Sequence, residues 1–175
     1  MSCREEQDFA GLVIDSLKFA ANGGRVTGRL SLAAMPRLAD ALVDTAGSLD
    51  CRIGSFRGEG GLDGKMGLIL QVSGRLWLHC QRCLGKVAFD CVIDSRLLLV
   101  PEGVVWPEDE LESEDYDAIP AEHELDVMAL VEDEVLLALP LVPRHEDCQA
   151  PATGVQEAEE RAASPFAVLA GLKKY

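Results

Sequence analysis

The residues best suited to chemistry in this sequence come as two pairs at one spacing. Cys80 and Cys83 are separated by two residues, and so are His145 and Cys148. Thiolates and an imidazole at this spacing are tetrahedral zinc ligands, and Cys₃His is a closed, structural donor set. Spacing alone leaves two other readings open. The thiols can be unligated turn cysteines beside an exposed His145, or Cys80 and Cys83 can be a thioredoxin-like redox pair. A redox pair opens a helix, whose dipole lowers a thiol's pKa, whereas this pair joins two strand-like runs. Cys51 and Cys91 fall in strand patterns and read as small core residues. Cys3 carries no assignment.

Catalytic constellations are sparse. The three histidines, His79, His123 and His145, accompany no nucleophile motif of the Gly-x-Ser-x-Gly kind. Gly58 to Gly64 lacks the Gly-Lys-Ser ending of a phosphate loop and reads as a flexible connection. Glu132, Asp133 and Glu134 read as a charged helix face and a candidate surface for a basic partner. Consecutive helical residues point about 100° apart, so the three cannot share one site. A magnesium or paired-carboxylate centre on this helix is the alternative reading, and with it a metal-dependent RNA-processing enzyme using these residues and acidic-loop carboxylates.

Charge is segregated along the chain. The net charge is −14. From Pro101 to Asp147 there are 16 acidic residues and one basic residue, Arg144, while the remainder holds 14 acidic and 15 basic. The acidic segment is a solvated face or a landing surface for a basic protein, since a polyanion repels nucleic acid unless a basic face is turned to it. The candidate for nucleic-acid contact is the hairpin carrying Lys65, Arg75, Arg82, Lys86 and Arg96 with Trp77 and Phe89. Arg75, Trp77, Arg82 and Lys86 are its candidate RNA-binding residues, with cations for phosphates and an aromatic for a base.

These groups need a scaffold. The 175 residues are 48% apolar but only 5% aromatic, so the core must be aliphatic. No apolar run approaches the roughly 20 residues of a bilayer span, and Met1 to Phe9 shows no secretory pattern, so a cytoplasmic protein with no membrane or small-molecule partner is expected. Ser16–Ala20 and Arg25–Leu32 flank Asn22-Gly23-Gly24, a hairpin or tight bend. Pro36 to Thr45 reads as a short helix with proline at its start. Leu49 to Phe56 alternates as a strand with one wet face. Leu68 to His79 and Val87 to Val100 read as two long antiparallel strands joined by the turn that holds Cys80 and Cys83. Pro101 to Pro120 is an acidic loop longer than ordinary connections. Glu124 to Leu139 is the clearest helix, capped by Asp126, with Val127, Leu130, Val131, Val135 and Ala138 on one face and Pro140 and Pro143 ending it. The expectation is an α+β fold: one domain, 1–148, on a curved antiparallel sheet with a long hairpin and two main helices. Residues 149–175 follow as a partly disordered acidic, proline-containing linker and a short apolar-basic tail.

Two stretches carry a family resemblance. Leu-His-Cys-Gln-Arg-Cys-Leu at 78–84, followed by Leu125 to Cys148 with its Glu-Asp-Glu-Val-Leu-Leu-Ala-Leu-Pro run, resembles the YceD family, the large ribosomal RNA subunit accumulation proteins. The ending from Ser164 to Lys174 is similar to the tail of its proteobacterial members. The resemblance implies a role in making or keeping 23S ribosomal RNA, without enzymatic activity. Its expected partners are 23S rRNA or its precursor, reached directly or through a basic ribosomal protein or assembly factor. Some relatives read Cys-x-x-Asp-Cys after the helix and continue into further cysteines, like a zinc ribbon. Here the matching positions are His145, Asp147 and Cys148, and the further cysteines are missing. The resemblance thus supports zinc on Cys80, Cys83, His145 and Cys148.

Overall fold

Alternating apolar and polar side chains make strands with one dry face, and such strands need helices to cover that face. The computed structural model describes residues 9, 11–58, 64–104 and 115–148. In chain order it contains β1 (Val13–Ile14), α1 (Ser16–Ala21), β2 (Arg25–Ser31), a 3₁₀ turn (Leu32–Ala34), α2 (Pro36–Ala41), β3 (Ser48–Arg57) and β4 (Met66–His79). It continues with β5 (Lys86–Val100), β6 (Asp117–Pro120), β7 (Leu125–Asp126) and α3 (Val127–Ala138). Strands β2 to β6 form one five-stranded sheet in sequence order, and β1 pairs with β7 in a two-stranded ladder. The fold is α+β, a single domain on a mostly antiparallel sheet.

The longest ladder joins β4 to β5, from Gly67 opposite Leu98 to His79 opposite Lys86. Its even-numbered β4 residues Leu68, Leu70, Val72, Leu76 and Leu78 are buried, as are Cys91, Ile93, Leu97 and Leu99 of β5. Leu49, Cys51 and Ile53 extend this dry face on β3. Burial pushes the Cys51 thiol up to about 12, consistent with an inert core residue. Against the face pack Val127, Val131 and Val135 of α3, spaced four residues apart. Leu130 is only partly buried and Ala138 is exposed, so the buried stripe of α3 is narrower than expected.

The helix expected from Pro36 to Thr45 ends at Ala41, with Leu42 bridging to Leu78, and two further elements differ in kind from the sequence reading. Ser16–Ala21 is helical because Asp15 accepts the Lys18 backbone N–H at 2.9 Å as an N-cap. Asn22 and Gly23 therefore close a helix, with Gly23 at φ 69°, and are not the turn of a hairpin. The second is β6, which lies in the stretch expected to be loop and runs parallel to β5, from Leu97 opposite Asp117 to Val100 opposite Pro120. The rest of that loop at 105–114, most of the Gly58–Gly64 loop, Cys3 and the linker and tail at 149–175 lie outside the described residues.

Glu132 joins two of the helices. It is 5% exposed on α3, and its Oε1 accepts the Leu38 backbone N–H of α2 at 3.0 Å. Its Oε2 accepts the Arg37 Nε–H at 3.0 Å, and Arg37 also pairs with Asp133. The first backbone N–H groups of a helix have no partner inside it, and α2 has no side-chain cap of its own. A carboxylate from α3 fills that role. Glu134 instead accepts the Ser95 hydroxyl of β5.

Replacing Glu132 by Ala strands a buried N–H and the Arg37 fork, and is expected to cost ~2–3 kcal/mol. In a chain of this size that lowers Tm by about 5–10 °C, whereas Glu134→Ala costs ~1 kcal/mol. Equal thermal shifts for the two variants would contradict the interhelical cap. Asp15 supplies an acid-sensitive element. The Lys18 ammonium, His123 and the Lys18 backbone N–H hold its carboxyl far below the usual carboxylate range. Its contribution is complete above an unfolded pKa of about 4 and is lost as pH falls below it. Asp15→Asn should flatten the acid limb of the stability profile, measured by urea unfolding across that range.

Candidate metal centre

The β4–β5 ladder delivers the first pair. Beyond His79 and Lys86 the chain turns through residues 80–85, with Cys80 N–H donating to the Gly85 carbonyl at 2.8 Å and Leu84 N–H to the Cys80 carbonyl at 2.9 Å. Leu84 lies in the left-handed region at φ 60° with its side chain 72% exposed. The second pair comes from the exit of α3. Pro140 and Pro143 prevent the helix from continuing, and the extended chain passes the turn, where Gln81 N–H donates to the Pro143 carbonyl at 2.9 Å.

The structure brings Cys80, Cys83, His145 and Cys148 together, with one donor atom from each within 4.8 Å of all the others. Cys80 Sγ lies 3.6 Å from Cys148 Sγ, and Cys83 Sγ lies 3.6 Å from His145 Nδ1. No disulfide joins these cysteines. Zinc–sulfur bonds of ~2.3 Å in a tetrahedron separate two sulfurs by about 3.8 Å, so the set fits a metal ion with little adjustment. Gly85 lines the cluster: a Cβ there would stand 3.3 Å from Cys83 Sγ and 3.9 Å from His145 Cε1.

The surroundings suit the same purpose. His145 Nε2–H donates to the Lys86 carbonyl at 3.0 Å, which orients the ring and turns Nδ1 toward the sulfurs. That carbonyl is the main cause raising the His145 pKa, with the Cys80 sulfur adding to it. Burial opposes a charge on Cys80, but backbone N–H groups of Cys83, Arg82 and His145 and the Cys148 thiol aim at its sulfur and hold it at about 5. Cys148 is pushed up to about 12 by burial and by the Cys83 and Cys80 sulfurs.

The other candidate residues are placed differently. Arg75 pairs with Asp90 through two hydrogen bonds of 2.6 and 3.2 Å. Lys86 reaches Asp44 at 2.9 Å and sits 4.2 Å from the centroid of the Trp77 ring, so one face of that ring is already covered. Arg82 is exposed on the turn. The three acidic residues of α3 are each engaged within the chain, Glu132 and Asp133 with Arg37 and Glu134 with Ser95. That corrects the reading of Glu132 as part of a free acidic surface, because its carboxylate is buried as a cap. Sequence reasoning missed Arg37, whose partners stand about 95 positions away.

A family model described as "Large ribosomal RNA subunit accumulation protein YceD" matches residues 68–173, a span that contains all four cluster residues and α3. A curated relative, "Large ribosomal RNA subunit accumulation protein YceD" of Haemophilus influenzae, is 36% identical over 106 residues. That alignment covers 55% of this chain and 59% of the relative, less than two thirds of its length. No solved structure matches the chain.

Proposed function

The chain belongs to the YceD family, and from that membership we propose that it promotes the accumulation of large-subunit ribosomal RNA by binding rather than by catalysis. The observation that carries this reading is the family match across the Cys–His cluster and α3. The protein acts in the cytoplasm on 23S rRNA or its precursor, directly or through a basic ribosomal protein or assembly factor. No described helix is long and apolar enough to cross a membrane. Binding is favoured over metal-dependent cleavage because such cleavage needs several carboxylates converging on one pocket. The α3 carboxylates instead serve separate contacts, Glu132 at α2 and Glu134 at Ser95.

Zinc completes this reading as a structural ion. Cys80, Cys83, His145 and Cys148 would hold it, and when bound it would cross-link the turn after β4 to the chain leaving α3. All four positions being protein donors, the site is of the closed kind that supports folding.

Depleting the protein in cells should lower the ratio of 23S to 16S rRNA, and mapping precursor ends separates failed processing from degradation. An unchanged ratio overturns the proposed role. Purified protein should carry about one zinc per chain. A site filled at about a thousand times its Kd contributes ~4 kcal/mol, so chelation or Cys80→Ser should lower Tm by about 10 °C. Metal-free protein with the same melting temperature would remove zinc from the account.

A further inference from the structure

Among the described residues, the helices pack on one face of the sheet and leave the other open. Strand register defines what that open face carries. One cross-strand row reads Arg25, Gly54, Ile69, Arg96, and the next reads Thr27, Arg52, Gln71, Asp94. A third reads Arg29, Asp50, Ser73, Val92, and Arg75 opposite Asp90 lies beyond it. Residues paired across an antiparallel ladder point to the same side, so all of these share the open face. With Lys86 further along β5, the rows place six cations against three carboxylates, in a chain whose net charge is −14.

The three carboxylates are engaged on the face itself. Asp50 pairs with Arg29 at 3.0 Å, Asp90 with Arg75 at 2.6 Å, and Asp94 accepts from Gln71 at 3.4 Å. Arg25, Arg52 and Arg96 have no carboxylate partner among the described residues; Arg52 donates only weakly to Gln71, at 3.4 Å. Arg25 on β2 and Arg96 on β5 end one cross-strand row, and Arg52 on β3 stands in the next. Arg52 lines two adjoining hollows of about 290 and 390 Å³ that also share Thr27 and Gln71, and Arg25 lines the larger.

Deepening the ribosomal RNA reading above, on which it rests, we propose that this open face is an RNA-binding surface. Arg25, Arg52 and Arg96 hold phosphates of a strand laid across β2 to β5. A guanidinium fork matches phosphate oxygens in shape as well as charge. Thr27, Gln71 and Ser73 beside them supply hydroxyl and amide groups suited to 2′-hydroxyls and base edges. Trp77 is the aromatic nearest the turn on this face, and Lys86 covers its ring. Recognition therefore rests on phosphates more than on stacking, which makes it strongly salt-dependent and weakly sequence-dependent. Arg25 and Arg52 lie outside the segment matched by the family model, while Arg96 lies within it.

The test is fluorescence anisotropy of the full 175-residue chain with a short labelled single-stranded RNA, from about 50 to 200 mM salt. The triple variant Arg25→Gln, Arg52→Gln, Arg96→Gln should bind at least tenfold more weakly at the low-salt end. Its log–log salt slope should be shallower by about two, since each single-strand phosphate contact contributes ~0.7. The control Arg29→Gln with Arg75→Gln, which removes cations already paired, should lose less than threefold. Unchanged melting temperatures show that each variant folds. Absence of RNA binding by the parent chain, or equal binding by the triple variant, overturns the proposal. So does a poly-glutamate peptide that competes as well as RNA of equal charge, since the occupant is then an acidic protein segment. If the triple variant loses RNA binding and also fails to restore 23S rRNA in depleted cells, proposal and family role stand together. If depletion lowers 23S rRNA but the triple variant restores it fully, the family role survives and this surface falls.

Discussion

The pairing of β4 with β5 is the constraint on which the rest of the molecule depends. Side-chain direction alternates along each strand, so a shift of one position would turn every core residue to solvent. The register from Gly67 opposite Leu98 to His79 opposite Lys86 leaves no freedom for such a shift, because Leu70, Val72, Leu76, Cys91 and Ile93 are all buried by it. The same register decides three separate things. It puts Cys80 and Cys83 on the turn at one end and the apolar face toward α3. It also sets Ile69 and Arg96, Gln71 and Asp94, side by side on the open face.

Charge is distributed with a comparable economy. A cation beside a carboxylate is a structural element, while a cation without one is available to a ligand. Arg37, Arg75 and Lys86 are of the first kind, held by Glu132 and Asp133, by Asp90 and by Asp44. Glu132 shows how far context changes the meaning of an acidic residue. In a charged run it reads as solvated surface, yet here it is buried and its two oxygens are occupied by Leu38 and Arg37. A buried carboxylate with both oxygens satisfied specifies how α3 sits against α2, since any other docking would leave the charge without partners.

What was legible in the sequence was local. The alternation of Leu49 to Phe56, the two long strands, the Asp126 cap and the prolines after α3 rest on periodicity and capping, which a sequence displays directly. The α1 helix was missed although its signal was present: Asp15 precedes Ser16 as an N-cap, and the glycines after it drew the stronger reading of a hairpin. Nothing in the sequence announced β6, whose pairing is decided by where β5 runs. At the candidate site, the ligand types and spacing were readable. Convergence of pairs about 65 positions apart was not, because it follows from the exit path of α3 past the turn. The pairing of the hairpin cation Lys86 was hidden for the same reason, as Asp44 lies 42 positions away.

The Cys–His cluster and the open face stand in a specific mechanical relation. Both are borne by β4 and β5, but the cluster closes the end of the ladder while Arg25 and Arg52 sit on the strands beyond its far edge. Cross-linking the turn to the exit of α3 stiffens one end of the ladder and, through α3, the packing beneath the sheet. It touches none of Arg25, Arg52 or Arg96. A surface that holds a polyanion through fixed guanidinium groups gains from such stiffness, because side chains already positioned lose less freedom on binding. Support and contact are thus carried by different residues around one sheet, and loss of either has its own signature. A loosened cluster weakens folding before it weakens binding, whereas a neutralised arginine row weakens binding in a chain that still folds.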